Sequence, residues 1–196
     1  MWATPVSLSG QHCSLLPLSH NHAVGLSAAS ASGDLHRLWY TSIPAPDQVE
    51  AEIDRRLSLQ ETGSMIPFTA CDASGHPVGM TTYMNIDHAN RRLEIGSTWY
   101  GKSAQRTPLN TECKLLLLRH AFETLDAISV EFRTHFINHQ SRRAIERLGA
   151  KLDGVLRSHM IMGNGTIRDT AVYSIIASEW PTVQANLQWQ LEKPRG

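Results

Sequence analysis

The chain has no surplus charge of either sign. Its 18 Lys and Arg balance 18 Asp and Glu, so no global field draws it to nucleic acid or to an anionic membrane surface. Cysteine is scarce: Cys13, Cys71 and Cys113 are widely spaced and form no Cys-x-x-Cys pair, which argues against a disulfide framework and against a structural zinc site. Long hydrophobic runs are missing as well. The longest aliphatic stretch, residues 115–118, falls far short of the roughly 20 residues that a bilayer-spanning helix needs. The opening Met-Trp-Ala-Thr-Pro lacks a basic stretch followed by an apolar one, so no secretory signal is expected and the expected location is the cytoplasm. Histidines are plentiful, yet His20/His22 and His135/His139 sit in no His-Glu-x-x-His pattern and have no evident third ligand. No metal is expected, and these histidines read as surface or loop residues.

What is present suits one α+β domain over residues 1–196. Hydrophobic residues make up 41% and charged residues 18%, an ordinary globular balance at a length that buries a real core. Loose alternation over residues 6–17, with a break at Gly10, predicts a first strand. An Ala- and Ser-rich stretch within residues 21–38 predicts a short helix. A second helix is expected over residues 47–60, where Val49, Ile53 and Leu57 share a face. Residues 66–73, 78–86 and 92–100 read as three strands of an antiparallel meander, joined at Ser74-Gly75-His76-Pro77 and at Asp87-His88-Ala89-Asn90.

The pattern then changes. A polar loop over residues 101–109 leads into an apolar helix ending near Leu125, with Asn110 as its expected N-cap. The next strand spans residues 128–136, with Ile128, Val130 and Phe132 on one face and Glu131 and Arg133 on the other. Strand, helix, strand at this spacing is a βαβ unit, so the strands starting at Arg92 and Ile128 should run parallel. A helix over residues 140–148 stops at Gly149, and its Arg142, Arg143 and Arg147 read as a solvated face. Two strands near residues 152–162 and 167–176 follow. An amphipathic helix carrying Trp180, Val183, Leu187 and Leu191 closes the chain.

One parallel pair in a mostly antiparallel sheet marks a place where ligands bind, beyond the carboxyl ends of the parallel strands and beside a helix N-terminus. Here that place is the loop Ser103 to Asn110. The free amides and positive end of the following helix suit a diphosphate, to which Lys102, Arg106, Thr107 and Thr111 could add contacts. A plain strand-to-helix connection remains the alternative reading of the same residues.

Order and motifs together resemble the GNAT N-acetyltransferases, in particular the RimJ/RimL-type ribosomal-protein N-acetyltransferases. The resemblance is carried by Glu94-Ile95-Gly96-Ser97-Thr98-Trp99, by Gln105-Arg106-Thr107 with Asn110-Thr111-Glu112-Cys113-Lys114, by Asn138-His139-Gln140-Ser141, by Arg147-Leu148-Gly149-Ala150, and by Arg168-Asp169-Thr170 with Glu179-Trp180. It implies a central sheet of about seven strands, mostly antiparallel, whose one parallel pair splays apart between flanking helices. It further implies that acetyl-CoA is the co-substrate and that its pantetheine arm lies in the V, bonding to backbone near Ser97, Thr98 and Trp99. The family's diphosphate loop falls on Gln105, Arg106, Thr107, Leu109, Asn110 and Thr111. Pro108 stands where the family has its first glycine, so one phosphate-binding N–H is missing. Asn138 matches the family's pantetheine contact, and Ser141 its residue near the CoA sulfur.

Direct transfer needs a neutral amine. An α-amino group of pKa near 8 is about 10% neutral at pH 7, whereas a lysine lies about 3.4 units away, or roughly 4.6 kcal/mol. Glu131 is the first expected base, matching a Glu used so in some N-terminal acetyltransferases of the superfamily, and Glu94 is the second. Either could instead be a strand carboxylate paired with an Arg. Between residues 140 and 148 there is no Tyr, so Ser141 is left to hydrogen-bond the departing thiolate. Cys113 is expected to pack rather than react. Two other readings stay open: transfer of another acyl group such as succinyl, with Arg142 or Arg143 in the acyl pocket, and a non-catalytic acyl-CoA-binding protein. A homodimer is compatible with the sequence, and neither a nucleic-acid partner nor a membrane partner is expected.

Overall fold

The structure, a computed structural model, describes residues 2–193. The first expected strand divides at Gly10 into β1 (Leu8–Ser9) and β2 (Cys13–Pro17). The cause lies far along the chain. Glu112 puts its carboxylate into the turn and accepts from the amides of Gln11, His12 and Cys13 at 2.8, 2.6 and 2.8 Å. Residue 10 must be Gly, because a Cβ there would stand 2.4 Å from Glu112 Cδ.

Helix α1 (Ala23–Ala31) falls inside its expected segment, and α2 (Val49–Glu61) starts two residues later and ends one residue later than expected. α1 packs on β4 (Pro77–Asp87) and α2 on β3 (Met65–Asp72). With β5 (Arg92–Tyr100) these strands form the antiparallel meander. Its first turn is closed by Asp72, whose side chain accepts from the amides of Ser74 and His76.

Helix α3 (Leu109–Arg119) runs on into a π-helical turn (His120–Thr124), where Leu125 N donates to His120 O at 3.0 Å. The helix begins differently from the expectation. Pro108, with φ −57° and ψ −25°, already holds helical geometry at the N-cap position, and Asn110 lies inside the first turn without a capping bond. Its Oδ1 is buried and unpartnered. Proline's fixed φ starts the helix two residues early, and Thr107 Oγ1 accepts from Leu109 N at 3.3 Å in Asn110's stead.

Strand β6 (Ser129–His135) runs parallel to β5 in the register Arg92↔Ser129, Leu93↔Val130 and Glu94↔Glu131. Val130 and Phe132 face the core as expected, whereas Ile128 precedes the strand and is 46% exposed. α4 (His139–Leu148) ends at Gly149, whose φ of 103° gives the left-handed stop. β7 (Lys151–Ile161) and β8 (Ile167–Ile176) follow, then α5 (Trp180–Glu192).

Among the described residues eight strands form one sheet in the order β1-β2-β3-β4-β5-β6-β8-β7; the division at Gly10 supplies one more than the seven expected. α1 and α2 cover one face of the β3–β5 half, with Leu26, Val49, Ile53, Met80 and Trp99 forming a small core beneath them. α3 lies on the opposite face. All four of its leucines at 115–118 are buried, joining Phe68, Tyr83, Val130, Phe132, Tyr173 and Leu187 in the main core. A fully buried Leu contributes about 1.5–3 kcal/mol, so this helix fixes where β5 and β6 stand.

Candidate active site

The parallel ladder between β5 and β6 stops at Glu94↔Glu131. Beyond that rung, residues 95–100 of β5 and 132–135 of β6 have no pairing with each other, and the strands open into a V. The exposed β5 backbone can pair with an extended ligand as it would with a strand.

A bulge shapes that edge. Met80 pairs with Trp99 and Thr82 with Gly96, so Ser97 and Thr98 together oppose Thr81. Ser97 carries the strain with φ 48°. The extra residue also inverts the strand's facing. Leu93 and Ile95 point to the α3 core, whereas Trp99 points to the α1–α2 core. Buried cations grip this bulge from both faces. From α2, Arg56 donates to Thr82 Oγ1 at 2.7 Å and to Ser97 O at 3.2 Å, and is paired with Glu52 at 2.6 Å. From α3, Lys114 Nζ donates to Thr98 Oγ1 at 2.9 Å and Thr81 Oγ1 at 3.3 Å.

The two candidate bases stand side by side at the vertex, in different surroundings. Glu94 is only 5% exposed. Asn85 Nδ2 donates to its Oε2 at 2.7 Å, and Arg133 Nε lies 3.6 Å from the same oxygen. Burial raises its pKa above the ordinary carboxylate value, against the opposing pull of Asn85 and the Arg133 charge. Its other oxygen sits over Gly96, where a Cβ would come within 2.8 Å of Oε1. Glu131 has both oxygens in ion pairs, Oε1 with Arg92 and Oε2 with Arg133 Nη2 at 2.8 Å. That is the paired strand carboxylate the sequence left as its alternative.

The mouth of the V collects most of the other expected residues. Gln105 turns its side chain inward, donating to Tyr100 O at 2.9 Å, so it braces the loop. Arg106 is exposed at φ 60°. Leu109 and Thr111 bury their side chains, leaving the Asn110 and Thr111 amides unpartnered among the described residues. At the carboxyl end of β6, Asn138 caps α4 by accepting from Ser141 N at 3.0 Å. The Asn-x-x-Ser pair is therefore one local structural unit. Cys113 is buried with its Sγ 3.3 Å from Cys13 Sγ, packed as expected.

Several residues at the V play parts that the sequence did not assign them. His135 ends β6 with 6% exposure and an unpartnered Nε2, so it is not the surface histidine that was expected. Burial lowers its pKa, and its Nδ1 accepts from Ile137 N at 3.3 Å. Trp39, from the α1–α2 connection, meets its ring edge-on at 5.6 Å. Arg168 binds Thr170 Oγ1 through Nε at 2.9 Å. Arg142, expected to be solvated, donates to Tyr173 Oη at 2.8 Å and stacks on Phe136. Among the described residues, no group of three or more His, Cys, Asp or Glu is arranged to hold a metal. No helix there is long and apolar enough to cross a membrane.

The family model described as an acetyltransferase (GNAT) domain matches residues 13–151, which include the meander, the V and α4. The chain belongs to the GNAT acetyltransferases. A crystal structure of a GCN5-related N-acetyltransferase from Brucella melitensis superposes with a TM-score of 0.88 at 32% identity, covering 97% of this chain and 87% of that one. A Bacillus subtilis (strain 168) protein provisionally named a ribosomal N-acetyltransferase, YdaF, is 32% identical over 106 residues, 54% of this chain. The match spans 57% of that protein's length. RimJ of Mycobacterium smegmatis, solved in complex with CoA-disulfide, shares the fold with a TM-score of 0.79 at 22% identity, each chain covered to 95%. This GNAT chain thus has the fold expected from its sequence.

Proposed function

We propose that this GNAT chain moves an acetyl group from acetyl-CoA directly to a primary amine, either a protein N-terminus or a small molecule. The observation that carries the reading is the V opening immediately past Glu94, with the start of α3 at one lip and the start of α4 at the other. The pantetheine arm would lie along the unpaired β5 edge at Ser97, Thr98 and Trp99. The Asn110 and Thr111 amides, with Gln105, Arg106, Thr107 and Leu109 around them, would receive the diphosphate, and Asn138 Nδ2 would meet the arm from the other lip. These are amides at a helix N-terminus, where anions are favoured.

The amine enters from the open face, where Trp39, His135 and Arg168 line the approach. Glu94 is the base this reading prefers over Glu131, because one of its oxygens is free and burial favours its taking a proton. The neutral amine attacks the thioester carbonyl, and its proton passes to Glu94. A backbone N–H at residues 97–99 holds the oxyanion. The C–S bond then breaks, and the thiolate leaves against the Ser141 hydroxyl. Of the two arginines that could meet a succinyl carboxylate, Arg142 is engaged by Tyr173 and Phe136, which leaves Arg143 to carry that alternative.

Free thiol release from acetyl-CoA, measured across a panel of N-terminal peptides, polyamines and amino acids, tests the reading. At least one amine should accelerate release, and Glu94→Gln should abolish that acceleration. No binding of acetyl-CoA at millimolar concentration would overturn it.

A further inference from the structure

Lys114 is a buried cation at the V to which the acyl-transfer reading gives no part. It is 6% exposed, and no carboxylate lies within 4.0 Å of its ammonium among the described residues. Arg56, gripping the same bulge from the other face, has Glu52 as counter-charge. Lys114 has two threonine hydroxyls instead. An uncompensated buried ammonium costs stability, and an apolar residue of similar volume would pack there more favourably. The charge therefore calls for an explanation outside folding.

We propose that Lys114 is a positioning residue for the acyl donor: sealed under the β5 bulge on Thr81 and Thr98, it holds that strand in shape for the thioester arm and gains its missing counter-charge when the anionic donor settles at the start of α3. The inference rests on the acetyl-CoA reading. The groups around the ammonium are few. Cys113 is its neighbour on α3, Thr81 and Tyr83 share its side of β4, Thr98 and Tyr100 its side of β5, and Cys13 lies beyond Cys113. Arg56 stands on the other face of the sheet, and Glu112 turns away to the amides of residues 11–13. Burial brings the Lys114 pKa down to about 8, with the Cys113 thiol opposing. A bound anion raises it again. By linkage, acetyl-CoA binding then takes up a proton near pH 8, and affinity falls as pH rises through the Lys114 titration.

Calorimetric titration of acetyl-CoA at pH 8, in two buffers of different ionisation enthalpy, reads that proton directly on the unmodified protein. Uptake of a substantial fraction of a proton is expected, together with about fivefold weaker binding between pH 7 and pH 9.5. Lys114→Met should bind about fivefold more weakly at pH 7, with no uptake and a flat profile above pH 7.5. Lys114→Arg should restore affinity without the pH dependence, and Cys113→Ala should keep the uptake. A wild-type protein that binds with no proton uptake overturns the proposal, as does a Lys114→Met protein that binds like wild type across the range. Absence of acetyl-CoA binding in the wild type would instead sink the donor reading on which both rest.

Discussion

The sheet has a half wrapped on both faces and a half left open. From β3 to β5 the strands lie between α1 and α2 on one side and α3 on the other, and residues 65–71 are buried without a break. From β6 to β7 helices cover one face, and β7 is exposed along most of its length, Leu152, Leu156, Met160 and Ile161 included. Backbone geometry is set in the first half: the bulge and the divided first strand depend on buried polar groups, and the start of α3 on Pro108. The ionisable chemistry lies where that half meets the second, at Glu94, Glu131, Arg133 and Arg168. A site of this kind needs rigid backbone for the donor and an open approach for the acceptor. On the proposed reading the two halves divide that work.

The largest effect expected in the wrapped half is on stability. Glu112→Ala leaves the amides of Gln11, His12 and Cys13 without their acceptor, and should cost about 3–5 kcal/mol in urea unfolding. A loss below about 1 kcal/mol would mean that the hairpin holds itself.

Lys114→Met should act in the opposite direction. With the folded pKa at about 8 against 10.5 for the free side chain, the wild type carries a cost of about 3 kcal/mol. That cost is complete below pH 8, shrinks as pH rises from 8 to 10.5, and is gone above it. The variant's stability advantage should close over that window; a constant difference would locate the cause in packing.

At the vertex, Glu94→Gln should lower turnover about 100-fold or more with little change in melting temperature. Amine protonation lowers the rate on the acid side in both proteins, and Glu94 protonation adds a second acid limb that should be missing from the variant. Glu131→Gln should cost less turnover than Glu94→Gln. The reverse order would return the base to Glu131.

The smallest expected effect separates fold from ligand at α4. Asn138→Ala removes a helix cap, at about 1 kcal/mol, and, on the proposed reading, a donor to the pantetheine arm. Asn138→Asp keeps the cap and loses the donor. Stability restored without affinity, compared by thermal melting and acetyl-CoA titration, is the expected pattern.

Much of this could be read from the residues in order. Val49 and Ile53 on one helix face, the meander, the parallel β5–β6 pair, Gly149 as a stop and the closing helix all follow from local periodicity and backbone preference. The positions of Ser97, Asn110, Asn138 and Ser141 around the V followed from motif order. Other features were invisible because their causes are remote in sequence. Glu112 reaches residues 11–13, with a separation of 100 residues at His12. Arg56 reaches Ser97 across 41. His135 alternates as a strand residue should, yet Trp39 closes over it from a loop with no pattern to read.

The amino-acid order by itself determined the elements, the one parallel pair and the family's motifs, because hydrophobic period, caps and turns act within a few residues. Only the tertiary structure decided which carboxylate has a free oxygen, which buried cation lacks a counter-charge and which backbone edge stays unpaired. Burial and pairing are properties of neighbours brought together by folding, and no short stretch of chain encodes them alone.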